Sequence, residues 1–488
     1  MSEGRALGDK AAVVVASKIV MALAQVGTVL ALPRLLPKEE VGVLAFLLLV
    51  YETTAGVATF GFPQALLYFI PQLDAPRRKA LVRLVCIILG GLGVCGAAVV
   101  VVAGRWLDVS FDPRPFLPLI GLYVALDLPT LALPNLLIAV DRAPLAAKLN
   151  IVSGLIAVAG LLVPLTFGLD LRVVLLVFAA SAALRLLIVV VVIARVEGAG
   201  PAGRLLADAK EVLRFSVPLG LSSSAGLLNQ QIDKYLIAIS FSVAAYADYS
   251  YGAREVPLVS ILPYTVATTL MPAFVEHWKA GRPKQMMAIW HASIGKVALL
   301  MMPLCVLLFV AAEAYVTVLF TRDYLLAAGP MRIYLLLLPL RVTAYGLMLQ
   351  SIGQTRAVLE VSVFCLVLNA VLSAVCIRWL GFLGPSVATV TVQFVAVVIL
   401  LYRFNRHVRV GLRGLLPWRI LARVMGVSLA VAPVAYAVVR ACGDRAGLAL
   451  GLGALAYAGA YAVLGSALGV ISAEDRTWVL SKVGLARA

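Results

Sequence analysis

Five polar or ionisable residues, Asn229, Gln230, Gln231, Asp233 and Lys234, crowd a short part of the stretch Pro218–Pro257, which otherwise reads as hydrocarbon. Arg254 and Glu255 follow in the next apolar run. An ionisable side chain at bilayer depth costs at least about 2.5 kcal/mol on insertion scales, so it faces a bundle interior or a water-filled cavity and marks a substrate or ion path. Lys234, Asp233, Asn229 and Gln231 are therefore candidate site residues, with Arg254 beside them.

Other charges lie at similar depth. At about 1.5 Å per helical residue from the nearest expected span end, Lys18, Glu52, Asp127, Arg185, Lys234, Arg254, Lys296 and Arg341 all fall roughly 10 to 20 Å inside. Such a belt suits a hydrated cleft and is expensive against lipid. The alternative is that these residues pair with one another and lock helices together. Asp233 and Glu255, each next to a cation, fit that alternative best.

The elements that position them are membrane helices. With 62% hydrophobic and 13% charged residues over 488 and a mean hydropathy of +1.02, the chain carries more apolar surface than one soluble core could hide. About fourteen apolar runs are long enough to cross some 30 Å of hydrocarbon. They cover 11–33, 41–69, 80–103, 116–140, 145–167, 171–194, 215–242, 244–275, 286–311, 331–352, 357–378, 381–404, 418–440 and 446–470. They are apolar throughout and too long for the alternating strands of a membrane barrel, so an all-α polytopic protein is expected. The net charge of +17 sits in alternate loops, around Arg77–Lys79, Arg204–Lys210 and Arg403–Arg413, at a bias of about 2.5 to one. That pattern places both termini in the cytoplasm. It also argues against a nucleic-acid partner, because no aromatic and basic platform accompanies the charge. The first run lacks a small-residue cleavage site and reads as a retained helix.

The connection Arg195–Arg214 divides the first six spans from the next six, giving expected domains of 1–200, 201–410 and 411–488. Two internal resemblances suggest duplication. The runs from Leu36 and Ser242 each place two prolines in their second half, Pro63 and Pro71 against Pro263 and Pro272. Arg142 matches Arg356 at an offset of 214, which also carries Asp127 onto Arg341. With six spans per lobe, the two repeats run in the same direction.

The order of these features resembles a known family. Fourteen spans in a 6+6+2 arrangement, RLLPKEEVG after the first helix and LNQQIDKYLIAISFSVAAYADYS in the seventh are similar to the polysaccharide transporter, or Wzx-type flippase, branch of the multidrug/oligosaccharidyl-lipid/polysaccharide flippase superfamily. The resemblance implies two six-helix lobes in a V, plus two C-terminal helices. It also implies alternating-access export of lipid-pyrophosphate-linked sugars across a bacterial or archaeal plasma membrane, with membrane lipids and polysaccharide polymerase or export machinery as partners. The expected cations for the pyrophosphate are Lys234, Arg254, Lys296, Arg341 and Lys18, because dense positive charge and several donors suit that group. Glu52, Asp127 and Asp233 are the candidates for coupling to H⁺ or Na⁺. No other cofactor is expected, and a monomer is.

Several patterns carry simpler readings. GLGVCG at Gly91–Gly96 fits a dinucleotide fingerprint but lies inside a span, where close helix packing explains it. The pairs Gly447/Gly451 and Gly465/Gly469 suit seating of the last helix, with a dimer contact as the alternative. Pro63, Pro218, Pro257, Pro263, Pro303 and Pro339 predict kinks. His277, His291 and His407 lack ligand spacing, and the six cysteines form no framework. Tyr235, Tyr246, Tyr249, Tyr251 and Tyr264 suit either a glycan-binding wall or an interfacial belt. No GxSxG, HExxH or GxxxxGK[ST] motif is present, and no long external loop could house an enzyme, so catalysis is not expected. Cation-coupled drug efflux is the alternative function, and a membrane glycan polymerase or ligase is a more distant one.

Overall fold

The computed structural model describes residues 2–106, 109–197, 209–254 and 261–471. Every described element is helical, as hydrocarbon demands of backbone groups that must find their partners within the chain. Two compact units form, Met1–Ala247 and Asp248–Ala488.

The first unit contains α1 (Ser2–Leu35), α2 (Lys38–Ala58), α3 (Phe62–Phe69), α4 (Ala75–Ala103), α5 (Leu117–Asp127), α6 (Ala132–Ala139), α7 (Ala143–Thr166), α8 (Leu171–Glu197) and α9 (Ala209–Ser240). It ends inside α10 (Val243–Gly252). The second contains α11 (Ile261–Lys279), α12 (Pro283–Val310), α13 (Ala312–Phe320), α14 (Ala328–Leu335), α15 (Tyr345–Ser351), α16 (Thr355–Leu380), α17 (Gly384–Val408), α18 (Leu412–Leu415), α19 (Trp418–Ala441) and α20 (Ala446–Ala467).

Among the described residues, nine helical stretches are long and apolar enough to span a membrane. One of them, Thr355–Val408, carries both α16 and α17. The nine therefore hold ten of the fourteen expected runs. Of the other four, α9 is diluted by its own polar cluster, and the run 331–352 is broken by turns between α14 and α15. The run 244–275 includes residues 255–260, which lie outside the described residues, and α1 contributes only Val20–Leu35 as a shorter apolar helix.

Interruptions explain much of the proline pattern. The second expected span stops at Phe60 and Gly61, both left-handed at φ 42° and 73°, and restarts as α3 with Pro63 in its first turn. That is a permitted position for proline, not a kink. Pro129 lies in the 3₁₀ turn Leu128–Leu131 between α5 and α6. Pro218 and Pro303 lie inside the continuous helices α9 and α12, and Pro257 lies outside the described residues.

The helix α9, counted into the second lobe by sequence, packs in the first compact unit against α2 and α3. Glycine makes this approach possible. A Cβ on Gly220 would stand 2.4 Å from the backbone of Phe60, so the break between α2 and α3 nests directly on the α9 backbone. In the second unit, α19 packs on α12, and α20 packs on α19. The Tyr457 hydroxyl donates to the Ser428 carbonyl at 2.9 Å and that of Tyr461 to the Leu299 carbonyl at 3.4 Å. Gly447 and Gly451 meet nothing within 4 Å, so these tyrosines, not that glycine pair, seat the last helix. Gly93 and Gly96, by contrast, lie against α5, as close packing requires.

The two regions matched by Arg142 and Arg356 each contain a left-handed helix-ending turn, a form that also occurs at Gly168, Gly281 and Gly469. Arg142 N donates to the Leu137 carbonyl at 2.7 Å and Gln354 N to the Leu349 carbonyl at 2.8 Å. The preceding residues, Asp141 and Gly353, are left-handed at φ 59° and 82°. The corresponding residues of these two turns are 212 apart, close to the expected 214. The shared feature is a capped turn defined by carbonyls and the sign of φ, which a matching arginine does not report.

Candidate functional site

Four helical segments of the first unit converge on one buried carboxylate. Asp127, at the end of α5, is 1% exposed. Its Oδ1 pairs with Nη1 of Arg185 on α8 at 2.8 Å, and its Oδ2 accepts the Tyr51 hydroxyl of α2 at 2.5 Å. Thr130 Oγ1 lies 2.7 Å from the Asp127 backbone carbonyl and 3.1 Å from Oδ1, so one proton serves both. Arg185 Nη2 donates to the Tyr123 hydroxyl at 2.7 Å. The Tyr123 ring meets Tyr51 edge-on at 4.7 Å and stacks on Phe178 at 3.9 Å. A buried ion pair offsets the cost of leaving water only when its remaining lone pairs and protons are also satisfied. Here Arg185, Tyr51 and Thr130 all reach the carboxylate, Arg185 Nε stays buried without a hydrogen-bond partner among the described residues, and the pair carries no net charge.

The helix α2 supplies three consecutive residues with different surroundings because successive positions are about 100° apart around a helix. Tyr51 joins the ion-pair cluster. Thr53 is buried, and its hydroxyl has no hydrogen-bond partner among the described residues. Glu52 itself is exposed and makes no ion pair among the described residues. On α9, Asp233 is fully buried, Gln231 is buried, and Asn229 and Lys234 are half-buried. Lys234 Nζ donates to Gln231 Oε1 at 2.6 Å. The first unit therefore holds a buried neutral cluster, an exposed carboxylate next to it on α2, and a partly exposed ammonium on α9.

The remaining site candidates are distributed as follows. Lys296 is exposed in the middle of α12, Arg341 is half-buried in the turns between α14 and α15, and Arg254 is exposed just past α10. These three belong to the second unit, whereas Lys234 belongs to the first. The side chain of Lys18 and the whole of Glu255 lie outside the described residues. Among the tyrosines, Tyr246, Tyr249 and Tyr251 are buried in packing, with Tyr249 edge-on to Phe382 and Tyr251 against Phe320 and Tyr324. Tyr264 is exposed. Three of the five thus serve neither as an open wall nor as an interfacial belt. Among the described residues, no three His, Cys, Asp or Glu gather as a metal site.

Sequence reading placed Asp127 and Arg185 at the same depth but did not join them, and it overlooked Tyr51 and Tyr123. A tyrosine inside an apolar run carries a hydroxyl that must be satisfied, and that requirement was the available signal.

The comparisons with known proteins agree on one fold. Residues 7–278 match the family of polysaccharide biosynthesis proteins, and residues 173–444 match the lipid II flippase MurJ family, each more than half of the chain. No curated protein matches it. A solved lipid II flippase MurJ in an inward closed conformation is similar over 94% of this chain and 99% of its own, with a TM-score of 0.71 at 13% identity. An inward-facing multidrug resistance transporter of the MATE family is similar over 80% and 94%, with a TM-score of 0.60 at 14% identity. A MOP superfamily transporter from Pyrococcus furiosus is similar over 81% and 95%, with a TM-score of 0.55 at 17% identity.

Proposed function

We propose, on the premise that this chain belongs to the multidrug/oligosaccharidyl-lipid/polysaccharide flippase superfamily, that it is a flippase for lipid-linked glycan. It moves a lipid-pyrophosphate-linked oligosaccharide, a repeat unit of a cell-surface polysaccharide, from the cytoplasmic to the outer leaflet by alternating access. It works in a bacterial or archaeal plasma membrane with both termini in the cytoplasm, upstream of a polysaccharide polymerase.

Lys296 carries the reading. It lies midway along α12, a helix of 28 residues, is exposed, and makes no ion pair among the described residues. Facing lipid, it would cost roughly 2.5 to 3.5 kcal/mol, so its place is a hydrated path. An ammonium without a carboxylate partner in such a path attracts an anion, and the pyrophosphate is the anionic part of the proposed substrate. Arg254 and Arg341 in the same unit are further cations for this group. In the first unit, Glu52 is the stronger candidate for H⁺ or Na⁺ coupling, because Asp127 is already neutralised by Arg185.

The test is translocation of a fluorescent lipid-pyrophosphate-oligosaccharide in proteoliposomes. Losing one charge-assisted contact of about 1.5 to 3 kcal/mol slows uptake roughly ten- to a hundredfold in Lys296→Ala, while Lys296→Arg retains most activity. Equal uptake by wild type and Lys296→Ala would remove Lys296 from the substrate path. Transport of cationic dyes with no glycan-lipid movement would favour the drug-efflux function.

A further inference from the structure

The sequence holds no aspartate or glutamate between Glu360 and Asp444. Within that span, the elbow from the end of α17 to the first turns of α19 carries Arg403, Arg406, Arg409, Arg413, Arg419 and Arg423, and no lysine. Arg403 reaches Glu360 at 3.2 Å. The other five are exposed and make no ion pair among the described residues. The elbow joins two candidate membrane spans, so residues 409–417 lie at a membrane face whichever way the chain inserts.

The elbow is held in shape. Arg409 ends α17 in the left-handed conformation, φ 55°, a position usually given to glycine or asparagine. Its N–H donates to the Asn405 carbonyl at 2.8 Å, and Gly411 N–H donates to Asn405 Oδ1 at 3.0 Å. Leu415 and Leu416 are buried, and the Leu415 carbonyl lies 3.2 Å from Nε2 of His291 on α12. Trp418, 51% exposed, opens α19 at the depth where interfacial tryptophans sit. The first turn of α19 has no acidic residue, so the positive end of its dipole adds to the arginine field.

We infer that this elbow binds the phosphate headgroups of anionic phospholipids. A topogenic role explains the sign of the charge but is indifferent to arginine or lysine. Guanidinium groups bind phosphate through paired N–H donors, and an arginine-only cluster fixed beside an interfacial tryptophan suits lipid phosphates. Each basic residue near an anionic surface strengthens attachment about fivefold. The inference does not depend on the identity of the transported molecule.

The full chain is reconstituted in phosphatidylcholine nanodiscs doped with photoactivatable phosphatidylglycerol or photoactivatable phosphatidylcholine, and the crosslinked peptides are mapped. Phosphatidylglycerol crosslinks are expected to concentrate on residues 403–423, and phosphatidylcholine crosslinks are not. The triple variant R409Q/R413Q/R419Q should lose phosphatidylglycerol crosslinking there about fivefold per arginine, with crosslinks elsewhere unchanged. Equal labelling of 403–423 by the two lipids in wild type, which needs no variant to fold, overturns the inference. So does labelling that soluble pyrophosphate abolishes without any preference for phosphatidylglycerol, which would assign the elbow to a substrate phosphate instead.

Discussion

Removing Arg185 while keeping Asp127 tests the buried cluster of the first unit. The two side chains are 10% and 2% exposed and stand 2.8 Å apart. In Arg185→Leu the carboxylate keeps the Tyr51 and Thr130 hydroxyls but loses its counter-charge in a place water scarcely reaches. Breaking a buried pair from one side costs about 3 to 5 kcal/mol, most of it from the stranded charge. The lower end applies here because two donors remain, so a loss of about 3 kcal/mol is expected, roughly a hundredfold or more in the folding equilibrium. Asp127→Asn strands the guanidinium, which still has Tyr123, and should cost a similar amount. The double variant Asp127→Asn/Arg185→Leu leaves no charge and should recover most of the loss, ending within about 1 to 2 kcal/mol of wild type. Reversible unfolding in bicelles measures all four proteins, and the coupling energy follows from the double-mutant cycle. Single variants within 1 kcal/mol of wild type, with no coupling, would refute the view that this pair locks α2, α5 and α8 together.

Three further outcomes follow from the same geometry. Glu52→Gln should keep glycan-lipid binding but lose stimulation by a proton or Na⁺ gradient, read as gradient-independent uptake in proteoliposomes; persistent stimulation would return the coupling role to Asp127 or Asp233. Gly220→Ala places a Cβ 2.4 Å from the Phe60 backbone, so α9 must move away, at about 1 to 3 kcal/mol in the same unfolding assay; Gly226→Ala, where nothing lies within 4 Å, is the control and should be neutral. Asn369→Leu removes the acceptor that Ser373 reaches at 3.0 Å and Thr389 at 3.3 Å; polar contacts between membrane helices average about 0.6 kcal/mol, so a loss near 1 kcal/mol is expected, and one above 2 would show that this knot is more than a contact between α16 and α17.

Composition and run length were enough to determine that the chain is a helical multi-pass membrane protein and approximately where its spans fall. Hydrocarbon imposes a requirement along one dimension, enough consecutive apolar residues with every backbone group bonded within the segment, and a sequence displays that directly. The polar cluster of α9, the exposed Lys296 and the arginine-rich elbow were all visible in this way. Tertiary structure alone decided which charges meet. Tyr51 and Asp127 are 76 residues apart, and nothing in either run shows that α2, α5 and α8 turn these faces towards one another. Helix rotation in a bundle is set by many weak contacts, such as Gly220 against Phe60 and Tyr123 against Phe178, each too local in space and too distant in sequence to be read as a pattern. Contacts of the same kind pack α9 against α2 and α3 within the first compact unit.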